Sequence, residues 1–203
     1  PYYSEKSGPV AAYFYQSGKV KEIFTLKKEE AREKGLNPNQ LTHRIIKPAT
    51  ECLDLEDDAY KDGVFAEKAM EDLEILAGEG RPFFLAVGFE RPHLPWTAPK
   101  KYWDLYEDCA HLLPEIPAMD YEDHDPHARR IFDANDRRSF DITEDDIRRS
   151  RRAYFANISY LDEKIGALLD VLERTRQEAI VVFLSDHGDM LGERGMWFKM
   201  SFF

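Results

Sequence analysis

An α/β fold with a mostly parallel sheet is what this sequence predicts, and three observations lead there. Helical stretches with an apolar stripe alternate with short runs that are apolar throughout. Those runs are far below the roughly 18 to 20 residues needed to cross a bilayer, and continuous apolarity is how a strand buried on both faces reads. The polar residues able to do chemistry follow the runs, where ligands gather in parallel sheets.

The elements follow in order. Residues 1–50 read as irregular, aromatic at first (Tyr2, Tyr3, Tyr13, Tyr15) and then densely charged, with one short helix over 28–34 ended by Gly35. Asp57 and Asp58 place acids in the first turn of a helix reaching about Ala77. Phe65, Ala69, Leu73 and Leu76 recur on it at helical spacing, and Gly78 and Gly80 end it. The run PFFLAVGF over 82–89 predicts a buried strand, stopped by Arg91-Pro92-His93-Leu94-Pro95, whose prolines cannot donate to a ladder. From Trp96 to about Ile142 the text is rich in Pro and Asp, a long excursion with one short helix over 100–106. Thr143 is an N-cap before Glu144, Asp145 and Asp146. It opens a long helix striped by Tyr154, Ile158, Leu161, Ile165, Leu168 and Leu172, ending near Arg174. A second buried strand is predicted over 179–184, and Ser185-Asp186-His187-Gly188 follows at once. Helix, strand, excursion, helix, strand is the order of a parallel sheet covered by helices.

With 203 residues, 43% of them hydrophobic, the chain suits one domain or part of a larger one. It begins at Pro1 and stops at Phe203 without a polar tail, so both ends read as cut. The net charge of −11 argues against nucleic acid, which demands clustered Lys and Arg, and obliges any anion site to carry a local cation. Cys52 and Cys109 have neither zinc-ligand nor redox spacing.

Taken by residue type, each candidate keeps two readings. Asp186 and His187 can both reach one cation if the chain leaves the extended conformation, which Gly188 permits; the alternative is a strand-end turn with a capping Asp. Carboxylate suits calcium or magnesium and imidazole suits zinc or manganese, so the metal stays open. Lys199, in apolar surroundings, either lays its stem across a core or neutralises an anion. His93, set between Pro92 and Pro95, is either a held proton donor or an exposed loop histidine. Asp123-His124-Asp125-Pro126-His127 is a weaker metal candidate, and Arg148, Arg149, Arg151 and Arg152 read as a solvated face paired with Glu144 to Asp146.

Three stretches resemble a known family. PFFLAVGFERPHLPWTAPKKYW over 82–103 resembles the segment of iduronate-2-sulfatase-like and choline-sulfatase-like sulfatases that carries their active-site histidine. Residues 153–172 resemble the long helix before their metal motif. SDHGDMLGERGMWFKMSFF over 185–203 resembles their second metal and sulfate motif, closest in wording to choline-sulfatase-like members.

The resemblance implies an alkaline-phosphatase-like three-layer α/β/α fold with a mostly parallel sheet, incomplete here. Residues 1–203 would then be part of a catalytic domain whose nucleophile-bearing N-terminal part and C-terminal part lie elsewhere. It implies that Asp186 and His187 bind a divalent cation, usually calcium, with magnesium and manganese as the other options. Lys199 would contact the sulfate, and His93 the sulfate or the leaving oxygen. Absent are the strand with two adjacent aspartates and the C-x-P-S-R element whose cysteine becomes formylglycine; neither Cys52 nor Cys109 has that setting. The implied activity is hydrolysis of a sulfate ester of a small alcohol or sugar, with the isolated chain inactive. The alternatives are a phosphate or phosphonate ester hydrolase of the same superfamily and a truncated, non-catalytic binding domain. No nucleic-acid partner and no membrane span are expected.

Overall fold

The computed structural model describes residues 50–108, 112–134 and 142–199, with positions 29, 32, 33 and 35. The opening tyrosines and Cys109 lie outside the described residues, as does most of the helix expected over 28–34. Of that helix, Glu29, Arg32 and Glu33 are helical, and Gly35 takes the left-handed φ of 66° expected of its end.

Strand β1, Thr50–Leu53, pairs in parallel with β2, Trp96–Pro99, in the register Thr50 to Trp96 through Leu53 to Pro99. Helix α1, Lys61–Gly78, follows a 3-10 turn at Asp57–Ala59 and returns the chain between them. The short α2, Lys100–Asp104, leaves β2 directly, and α3, Pro126–Ala134, lies within the excursion. Helix α4, Glu144–Arg174, packs on α1, α2 and β2. An antiparallel hairpin of β3, Met190–Leu191, and β4, Trp197–Phe198, ends the described chain. None of the described helices is long and apolar enough to cross a membrane.

The N-cap reading of Thr143 holds in full. Its hydroxyl accepts from the Asp146 amide at 3.2 Å while the Asp146 carboxylate accepts from the Thr143 amide at 2.9 Å, a reciprocal capping box. The buried face of α4 is not the striped one. Ala153, Ala156, Asn157 and Tyr160 are buried, whereas Ile158 is exposed. Small residues win because they let the helix axis approach Trp96, Ala98 and α1, where Tyr60, Tyr102 and Tyr160 fill the space.

The two expected strands form differently. Residues 82–89 and 179–184 have no regular secondary structure and join no ladder among the described residues. Phe84 is 91% exposed and Ile180 95%, so neither run has the covering layers that a doubly buried strand requires. The parallel pairing comes instead from Thr50–Leu53, which begins where the irregular stretch 1–50 ends, and from Trp96–Pro99, at the start of the expected excursion.

Candidate active site

His93 sits in the turn that joins the apolar run 82–89 to β2. Its amide donates to Glu90 O at 2.8 Å, which closes the turn and leaves the ring exposed. Ring Nδ1 lies 2.7 Å from Leu94 O. A carbonyl only accepts, so Nδ1 carries the hydrogen and Nε2 is the nitrogen turned to solvent.

Asp186 and His187 follow the run 179–184. The His187 amide donates to Asp186 Oδ1 at 2.9 Å, and Asp186 Oδ2 lies 3.4 Å from His187 Nε2. His187 Nδ1 is 2.9 Å from Gly188 O, which again fixes the hydrogen on Nδ1 and leaves the Nε2 lone pair outward.

Lys199 reaches the same place through the hairpin. Because β3 and β4 run antiparallel with Met190 opposite Phe198, the residue just after β4 returns beside those just before β3. The tight return uses left-handed backbone at Gly192 (φ 102°) and Gly195 (φ 73°). A Cβ on Gly192 would lie 3.3 Å from the Trp197 ring, so this glycine also makes room for that indole. Lys199 Nζ lies 3.3 Å from His187 Nε2.

Asp189, which the sequence reading passed over, ties the group together. Burial pushes its carboxyl up, and the charges of His187, Lys199 and His93 pull it back down while Asp186 adds to the rise. Asp186, His187, Lys199 and His93 are therefore within electrostatic reach of one half-buried carboxylate. Its spacing, two residues after His187, was the available signal.

Aromatic packing holds the two site-bearing segments side by side. Trp96, three residues after His93, lies 6.5 Å from Trp197, two before Lys199, and Tyr154 of α4 meets Trp96 edge-on at 5.6 Å. Such pairs contribute about 0.5–1.5 kcal/mol each beyond their buried area. Burial, with the Asp189 charge beside it, pushes the Tyr154 hydroxyl up to about 12.

The donor chemistry fits part of a cation site. A carboxylate oxygen and an imidazole lone pair 3.4 Å apart can share one ion, and an Nδ1–H fixed on a backbone carbonyl is the usual support of a ligating histidine. Among the described residues no three His, Cys, Asp or Glu side chains are grouped to hold a metal ion. The weaker candidate at 123–127 has another use: Asp125 Oδ1 accepts from the His127 and Ala128 amides at 2.8 and 3.1 Å and caps α3, and His124 is buried.

A family model described as Sulfatase matches residues 7–201. The chain is 59% identical over 125 residues, 61% of its length, to a protein named choline-sulfatase from Rhizobium meliloti, and covers 24% of that relative. It is 34% identical over 177 residues, 79% of its length, to iduronate 2-sulfatase of Mus musculus, covering 31% of it. The Homo sapiens iduronate 2-sulfatase is 33% identical over 179 residues, 82% of this chain and 32% of that protein. The chain thus spans about a quarter to a third of the length of these curated relatives. With nearly every residue accounted for by one family model, and helices laid on a parallel but incomplete sheet, the chain belongs to the sulfatase family and to its alkaline-phosphatase-like α/β fold.

Proposed function

We propose that this segment supplies the cation, sulfate and leaving-group side of a sulfuric ester hydrolase. The observation that carries the reading is the 3.3 Å approach of Lys199 Nζ to His187 Nε2, next to Asp186. An ammonium and a carboxylate–imidazole pair side by side make a place where a sulfate could be held between a lysine and a metal ion, in a chain of net charge −11 that otherwise repels anions.

Asp186 and His187 would hold the divalent cation, calcium foremost. When bound, it supplies Lewis-acid neutralisation of sulfate oxygens. Lys199, whose Nζ lies beside His187 Nε2, would donate to a sulfate oxygen and stabilise the charge that grows there. His93, with Nδ1–H held by Leu94 O, presents Nε2; once protonated there, the ring donates that proton to the departing alcohol oxygen. The nucleophile, formylglycine in the sulfatases this chain resembles, comes from sequence outside these residues.

The 59% identity to a choline-sulfatase supports the sulfate ester of a small alcohol as substrate. The test is sulfate release by the full-length protein from choline sulfate and 4-nitrophenyl sulfate, with Lys199→Ala and Asp186→Ala beside it. Each substitution is expected to lower kcat/KM by on the order of 100-fold or more. Full activity in both variants, or faster turnover of phosphate esters than of sulfates, would overturn the reading.

A further inference from the structure

Arg91 stands two residues before His93, yet its side chain turns away from the exposed rim and into the protein, where only 6% of the residue is exposed. A buried guanidinium is costly unless its donors are used and its charge is met. Here the donors go to the turn itself: Nη1 donates to His93 O and to Pro95 O, each at 3.1 Å, and Nη2 donates to Thr97 Oγ1 at 2.8 Å. Thr97 is fully buried on β2.

Asp62 of α1, only 2% exposed, is the opposite charge acting on Arg91, though it meets the turn through backbone amides and not through the guanidinium. Its two oxygens accept the amides of Arg91 at 2.8 Å and Glu90 at 3.1 Å. Lys61, the residue before it, pairs with the Glu90 carboxylate. The turn is thus fastened from below at its first two residues and gripped from within along the rest.

The grip has a specific geometry. The carbonyls held by Arg91 are those of His93 and Pro95, which bracket the Leu94 carbonyl that accepts the His93 Nδ1 hydrogen. Fixing the two flanking peptides fixes the one between them, and with it the acceptor that selects the His93 tautomer. A planar fork with donors in set directions can span separate acceptors in this way; the single ammonium of lysine is a point charge and cannot reproduce the fork.

We infer that Arg91 is a positioning residue: through the carbonyls of His93 and Pro95 it holds the His93 ring with Nδ1 on Leu94 O and Nε2 toward the substrate. This rests on the role proposed for His93. A guanidinium that served only to fill the interior would have no reason to act through that histidine, and the two cases differ in a measurable way.

The experiment is a double-substitution cycle in the full-length protein, with 4-nitrophenyl sulfate as probe and nitrogen-15 NMR of the His93 ring as second readout. Arg91→Lys is expected to lower kcat on the order of 10- to 100-fold, as misplacement of a reacting group does. It should add no further loss in a His93→Gln background. The ring should be the single Nδ1–H tautomer in the wild type and a mixture in Arg91→Lys. Equal losses in both backgrounds, or a folded Arg91→Lys with wild-type kcat and tautomer, would overturn the inference. Should Arg91→Lys fail to fold, Thr97→Val removes one of the three acceptors and leaves Arg91 and the Asp62 bonds to the turn in place. Its smaller loss of kcat must likewise vanish in the His93→Gln background, and wild-type kcat there sinks the idea. If His93→Gln itself leaves sulfate release untouched, the role proposed for His93 fails, while the tautomer readout still decides what Arg91 does.

Discussion

Asp57 is where local sequence and tertiary position diverge most. By sequence it is a first-turn acid; in the fold its Oδ2 accepts from Tyr102 at 2.8 Å, from Lys101 at 3.0 Å and from Lys164. Burial pushes its carboxyl up, but the hydrogen bonds from Lys164, Lys101 and Tyr102 outweigh this and hold it below its ordinary 3.8. The native state therefore binds fewer protons at Asp57 than the unfolded chain does. Its stabilisation is complete above about 3.8 and is lost as pH falls through the lower native value. Asp57→Asn should lower the thermal midpoint near neutrality, and the gap to the wild type should shrink as the pH drops below 3.8; a constant gap would contradict this. The Asp57 carbonyl also explains Gly63, where an added Cβ would lie 2.0 Å from that oxygen and 2.8 Å from the Tyr160 hydroxyl. Gly63→Ala is expected to cost about 1–3 kcal/mol, or more, by urea unfolding.

The solvated face expected of the α4 arginines holds for Arg148 and Arg149, both exposed, Arg148 pairing with Glu144 at 3.8 Å, but not for buried Arg151 or half-buried Arg152. Arg149 donates to Thr50 Oγ1 at 2.9 Å, Arg152 to Trp103 O at 2.9 Å, and Arg151, buried, pairs with Glu193 and donates to Leu191 O at 3.3 Å. One turn and a half of helix thus pins β1, α2 and the hairpin. Burial pushes Glu193 up, but the Leu191 amide, its own amide and Arg151 hold it below its ordinary range. Arg151→Met should leave the helix signal in circular dichroism unchanged, speed hydrogen exchange at Leu191 and Gly192, and reduce activity, because Lys199 hangs from that hairpin. Unchanged exchange there would show that the hairpin stands without Arg151. Thr143→Ala removes one side of the capping box and should cost about 1 kcal/mol.

Across the molecule, the apolar runs 82–89 and 179–184 leave Phe84, Ile180, Phe183 and Leu184 at least 75% exposed. Contiguous apolar surface of this kind favours association. The 203-residue chain alone is expected to self-associate at micromolar concentration in light scattering and to release no sulfate, since its sequence lacks the C-x-P-S-R element. A monodisperse monomer, or measurable turnover by this chain, would refute that expectation.

The sequence by itself determined the long capped helix, the apolar runs and the chemical identity of His93, Asp186, His187 and Lys199, because capping, periodicity and side-chain type are local properties. It could not locate the parallel pairing of Thr50–Leu53 with Trp96–Pro99, whose partners are 46 positions apart in register from Thr50 to Trp96 and carry no alternation to betray them. Nor could it set the buried face of α4, which close packing of Ala153 and Ala156 decides. Arg91, Asp62, Asp189 and the Trp96–Trp197 contact take their meaning from neighbours supplied by other elements. Electrostatic and packing energies depend on distance in space, and the chain brings those distances within reach only once it is folded.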